Sequence, residues 1–317
     1  MALITRFLAA TIFTGFMFCQ PLAAQSDQLD PSEASEQPKQ RSPWIFSGTA
    51  YGVHQDDADL TDTDGSFNVD RWFVNAGVTF AWSKRDMIGV TVGGGKDIYE
   101  FDGLGSFGGG QPWGDVSDTR LTILSRTGIG ETSVLTIVPT IRVNGEDGAD
   151  KGDSTTYGVF AALTWKMNKS LTIGPGFGLF TKLEGGTKIF PVLAINWDIT
   201  DRWNFATGGG AGSSQGSGLT LNYKLNDVWS LGLTGRYEDL EFRLDEKGVE
   251  PGGIGRDKSL PLVASVKMQP NRYFSVSLFA GAQWMGKLEL DDADGHKVQE
   301  SDYDPALLLG ATIVARF

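Results

Sequence analysis

Cysteine is almost absent from this 317-residue chain; the one present, Cys19, lies in an apolar stretch near the start. A disulfide framework, a cysteine-built zinc cluster and a thiol nucleophile are therefore excluded for the remainder. Histidine is nearly as scarce, with only His54 and His296. A general base for serine chemistry has two candidates, neither in a patterned context, so no enzyme activity and no catalytic residue is expected. No apolar run reaches the about 18 residues that mark a membrane-crossing helix. The net charge of -12 argues against a nucleic-acid partner. The acidic runs Asp62-Thr63-Asp64-Gly65 and Asp292-Ala293-Asp294-Gly295 miss a calcium-loop frame, because its first ligand position would fall on Leu60 or Leu290. Neither a metal site nor a cofactor is expected.

Glycine, in contrast, is plentiful: 42 residues, many inside apolar stretches such as GVTVGGG, GPGFGLF and ATGGGAG. A helix resists them, since each costs roughly 1 kcal/mol relative to alanine. The chain is expected to be all-β. Its front carries Arg6, an apolar segment from Phe7 to Cys19 and the small-residue site Leu22-Ala23-Ala24, which read as a secretory signal peptide over 1–24. Residues 25–43 are polar and acidic and read as a disordered periplasmic tail. From Trp44 to Phe317 the composition barely shifts, as expected of one domain.

Strict alternation runs through that domain. Trp72, Val74, Ala76, Val78, Phe80 and Trp82 share one face, and Arg71, Phe73, Asn75, Gly77 and Thr79 the other. Leu260, Leu262, Ala264, Val266 and Met268 likewise oppose Ser259, Val263, Ser265 and Lys267. Period two with one apolar face marks strands between unlike surroundings. Tight turns (83–86, 130–131, 168–169, 200–202, 226–227, 270–271) alternate with looser connections (56–69, 102–116, 146–153, 184–187, 211–217, 245–258, 290–303). The pattern yields about 14 strands, with 12 or 16 as alternatives, in a transmembrane antiparallel barrel with short periplasmic turns and longer extracellular loops. Trp82, Trp165, Trp197, Trp203, Trp229 and Tyr273 flank the tight turns, where a membrane meets water.

The last segment alternates Leu309, Ala311, Ile313 and Ala315 and finishes on Phe317. In this, in its signal peptide and in its hairpin rhythm the sequence resembles the Gram-negative outer-membrane β-barrel proteins. The resemblance implies an outer-membrane location and recognition of that terminal segment by the barrel-assembly machinery. It also implies contact with outer-membrane lipid and lipopolysaccharide. Extending the alternation turns Arg71, Arg120, Arg126, Arg142, Lys166, Lys182, Lys224, Arg236, Lys267, Lys287 and Arg316 toward the lumen. Asp198, Glu238 and Glu289 are the inward acids; the others concentrate in the long loops. A basic wall favours anionic or polar solutes if water fills the pore, and is structural if its members pair with inward acids and tyrosines. Three roles follow. One is a passive or weakly selective pore for small hydrophilic solutes, with a tilt toward anions. Another is a non-conducting barrel acting through its acidic extracellular loops. The last is a transporter of apolar small molecules.

Overall fold

The computed structural model describes residues 42–103, 107, 111–208 and 218–317. The signal peptide and all but the last two residues of the tail lie outside them. The strands are β1 (Trp44–Asp59), β2 (Ser66–Ala81), β3 (Met87–Asp102), β4 (Val116–Ile129), β5 (Ser133–Glu146) and β6 (Thr155–Lys166). Then follow β7 (Leu171–Thr181), β8 (Thr187–Asp198), β9 (Trp203–Thr207), β10 (Gly218–Lys224) and β11 (Trp229–Arg236). The series ends with β12 (Glu238–Arg243), β13 (Ile254–Asn271), β14 (Phe274–Asp291), β15 (Lys297–Tyr303) and β16 (Ala306–Arg316).

Fourteen of them, all except β12 and β15, close an antiparallel barrel in which β16 pairs with β1. Closure leaves no free strand edge, which a lipid environment requires. The alternation predicted for β2 is present: Phe67, Val69, Arg71 and Phe73 are buried, while Trp72 and Val74 are exposed on the outer surface. Trp82, Trp197, Trp203, Trp229 and Tyr273 stand exposed near the tight-turn rim, and Trp165 is partly exposed there. Trp72 and Trp284 mark the opposite side of the apolar band. In the last strand Leu309, Ile313 and the terminal Phe317 face outward.

The long-loop end differs from the sequence reading. Two stretches expected as loops, 245–258 and 290–303, contain strand: β13 already begins at Ile254, and β15 occupies Lys297–Tyr303. β12 continues the line of β11 on β13, beyond the described ladder of β10, which runs to Gly218↔Arg236. It leans inward until Arg243 meets Gly145 of β5. On the other side Leu60 bridges to Tyr303, tying β1 to β15. The upper parts of β1 to β5 and β12 to β15 thus form a second, narrower ring above the wide barrel. The strands β6 to β8 end below it.

Two bulges make that narrowing. In β1 the register shifts between Gln55 and Ala58, and in β14 it shifts opposite Lys258 and Leu260. An extra residue bends a strand and reverses which face the following side chains occupy. At the β14 bulge Met285 takes φ +53°, the left-handed region that side-chain-bearing residues avoid. Beyond it Gly286, Leu288 and Leu290 turn into the ring. Lys287, expected in the lumen, consequently lies on the outer face, paired with Asp302 at 3.1 Å and Glu300 at 3.3 Å.

Candidate functional site

The lumen is layered. At the extracellular end the narrow ring is filled by an apolar cluster of Ala58, Leu60, Phe67, Val69, Val116, Phe242, Leu244, Leu288 and Leu290, with aromatic neighbours. Trp113 is its hub, with ring centroids 5.2 Å from Phe242, 5.4 Å from Phe101, 5.8 Å from Tyr99 and 5.9 Å from Phe107. These are near-perpendicular contacts, the arrangement aromatic quadrupoles prefer. Phe107 and Trp113 come from the connection between β3 and β4, so both side chains enter the ring. The indole Nε1–H of Trp113 is buried with no acceptor among the described residues. A buried indole usually finds one.

Beneath this chamber lies a charged belt. Arg71 donates to Asp257 at 2.7 Å and to Gln55 at 3.3 Å. Asp257 also accepts from Tyr303 at 2.8 Å and from Tyr99 at 3.4 Å. A neighbouring triad places Asp118 between Arg120 and Arg142, the latter donating at 3.1 Å and 3.2 Å. Arg120 also stacks over Phe73, 4.6 Å from its centroid. Arg236 is buried beside Glu238. The acids Asp97, Asp118 and Asp257 were missed by the sequence reading, which placed Asp257 in a loop and stopped short of Asp97 and Asp118. Four arginines of the predicted basic wall thus sit among carboxylates. A fully buried charge survives only when it is paired and hydrogen-bonded.

On the other side of β12, its outward residues form a polar seam with β7 and β8. Lys188 reaches Asp239 at 3.1 Å, and Arg256 reaches Glu184 at 3.1 Å and Glu241 at 3.4 Å. Arg243 donates to three backbone carbonyls, Leu183 at 2.5 Å, Gly252 at 2.8 Å and Asp153 at 3.2 Å. Burial pushes the Glu241 carboxyl up to about 7, opposed by Arg256 and Lys188 and reinforced by the adjacent Glu184. For Glu184 burial acts upward too, yet hydrogen bonds from Lys182 and Glu241 outweigh it and its acidity increases.

The remaining predicted cations lie apart from the belt. Lys182 pairs with Glu184 at 2.7 Å near the extracellular side, and Lys224 with Asp227 at 2.8 Å by a periplasmic turn. Lys166 is exposed at the periplasmic rim. Arg126, Lys267 and Arg316 are part-buried at that same end of the lumen. The two histidines are surface residues: His54 meets Asp70 at 2.8 Å and His296 meets Asp292 at 3.2 Å.

The chain is similar in structure to an outer-membrane channel from Pseudomonas putida F1, at 10% identity and a TM-score of 0.50, with 92% of this chain and 100% of that chain covered. It is also similar to a Pseudomonas aeruginosa FadL homologue (12% identity, TM-score 0.47, 95% and 98% covered). A third similar structure is the Pseudomonas putida toluene transporter TodX (8% identity, TM-score 0.37, 87% and 90% covered). No curated protein matches in sequence. Residues 150–312, just over half of the chain, match the family described as a domain of unknown function, DUF6268, and the chain belongs to that family.

Proposed function

We propose that this outer-membrane barrel is a channel for small, largely apolar molecules, which it receives in the aromatic chamber at its extracellular end. The carrying observation is the packed apolar cluster that closes the mouth, aromatic and aliphatic side chains centred on a tryptophan whose N–H has no acceptor among the described residues. Ligand sites are typically apolar concavities with a few polar groups that fix orientation. An aromatic compound with one acceptor matches these walls. A hydrophilic solute gains nothing from them and must shed its water to pass, so the chamber favours the apolar transporter over the hydrophilic pore. The fold shared with an outer-membrane channel supports the transport role.

Naphthalene binding to the refolded chain, followed by energy transfer from tryptophan, tests the reading. Saturable binding that falls about tenfold or more in Trp113→Ala and Phe242→Ala is expected, because each truncation removes a wall of the chamber. Absence of saturable binding, together with rapid liposome swelling in arabinose, would instead establish a hydrophilic pore.

A further inference from the structure

Neutralisation of the lumen cations is uneven along the barrel axis. In the belt each arginine has a carboxylate beside it; at the periplasmic mouth Lys267 and Arg316 have none among the described residues. Lys267 faces Ser277, and Arg316 lies two positions beyond Val314, the partner of Ser275, so the two cations flank one stretch of β14. They come from β13 and β16, on either side of β14. The ladder aligns Ser230 with Lys267, Lys267 with Ser277, and Ser277 with Thr312. Residues sharing a lumen face repeat every second position, so Ser275, Ser277 and Thr312 turn to the same side as the two cations. Ser275 and Thr312 are both buried, and the Thr312 hydroxyl has no hydrogen-bond partner among the described residues. Asp198, the inward acid at this end of β8, is held by Asn204 at 2.8 Å. Two like charges flanking hydroxyl donors on adjacent strands form a cradle for negative charge.

We propose that this wall of β13, β14 and β16 is a binding site for a small oxyanion, a carboxylate or sulfonate group. Lys267 and Arg316 supply charge, and Ser275, Ser277 and Thr312 donate hydrogen bonds. The site is separate from the aromatic chamber and stands or falls independently of the apolar-solute reading. It gives the channel two unlike ends: an extracellular chamber that selects for apolar surface and a periplasmic mouth that selects for negative charge.

The test is saturation-transfer NMR on the full chain refolded in micelles, titrated with benzoate and, as its uncharged match, benzyl alcohol. Benzoate is expected to bind about tenfold more tightly, with a preference that shrinks as salt is added. Lys267→Met and Arg316→Met should each weaken benzoate about fivefold or more and leave benzyl alcohol unchanged, and Thr312→Val should weaken it less. Equal affinity for the two probes, or a benzoate preference that survives Lys267→Met and Arg316→Met, overturns the site. Failure of the chamber reading would instead appear as loss of benzyl alcohol binding altogether, or as its indifference to Trp113→Ala.

Discussion

Arg71 shows how a single side chain can be read correctly for direction and wrongly for role. Its place opposite Trp72 makes it lumenal in any strand of period two. Whether it carries free charge depends on Asp257, 186 positions away in sequence, which meets it at 2.7 Å. Replacing Asp257 by alanine leaves the buried guanidinium its looser contact with Asp97, at 3.8 Å. Removing one partner of a buried pair typically costs about 3–5 kcal/mol. Asp257→Ala should therefore lower the urea midpoint of unfolding in lipid vesicles, with Asp257→Asn intermediate because it keeps an acceptor for Tyr303. Equal stability of Asp257→Ala and the parent chain would refute the belt as a structural element. Glycine acts at the same scale. At Gly178 an added Cβ would sit 2.2 Å from the Phe190 ring, so glycine there admits the Phe180–Phe190 stack at 5.8 Å.

Among the elements, β12 departs most from expectation. Its residues Glu238 to Arg243 alternate as any strand does, with Leu240 and Phe242 on one face. The alternation says nothing about whether the strand stays in the wall or crosses the mouth. It crosses while staying on β13, from Glu238 opposite Ser259 to Arg243, which meets Gly145 of β5. The seam that β12 makes with β7 and β8 is sensitive to pH. Glu241 titrates in the folded chain near 7, above its ordinary 4.5. Its stabilising contribution is thus complete below 4.5 and is lost as pH rises through 7. Glu184, shifted the other way, contributes above the ordinary carboxylate range and loses that contribution in acid. Amide exchange in 238–243, corrected for intrinsic rates, should therefore be faster at pH 8 than at pH 6. Glu241→Gln should abolish the difference. Faster exchange at the lower pH would contradict this sign.

For the whole molecule, the narrow ring continues the wide barrel through β1–β5, β13 and β14, and Arg243 ties β12 to the connections beside it. Its guanidinium spans Leu183, Gly252 and Asp153, carbonyls from three separate connections. Charge-assisted hydrogen bonds of this kind contribute roughly 1.5–3 kcal/mol each. Arg243→Ala should free β12 from the neighbouring loops while leaving the membrane band folded. The expected result is a higher open probability in planar bilayers with an unchanged heat-modifiable shift of the barrel on gels. Unchanged gating would mean that the ring is held by its apolar core alone.

The amino-acid order by itself determined the all-β class, a barrel of about fourteen strands, the short-turn rim and, short of the bulges, the side each strand shows to its surroundings. All of these follow from local period two and from turn residues, which need no partner to be recognised. Only the tertiary structure decided the rest: the second ring, the outward Lys287, the carboxylates beside Arg71 and Arg120, and the absence of any beside Lys267 and Arg316 among the described residues. A bulge inverts every following side chain at the expense of one residue, and the partner of a buried charge is chosen by register between strands far apart in the chain. Neither leaves a mark on local alternation.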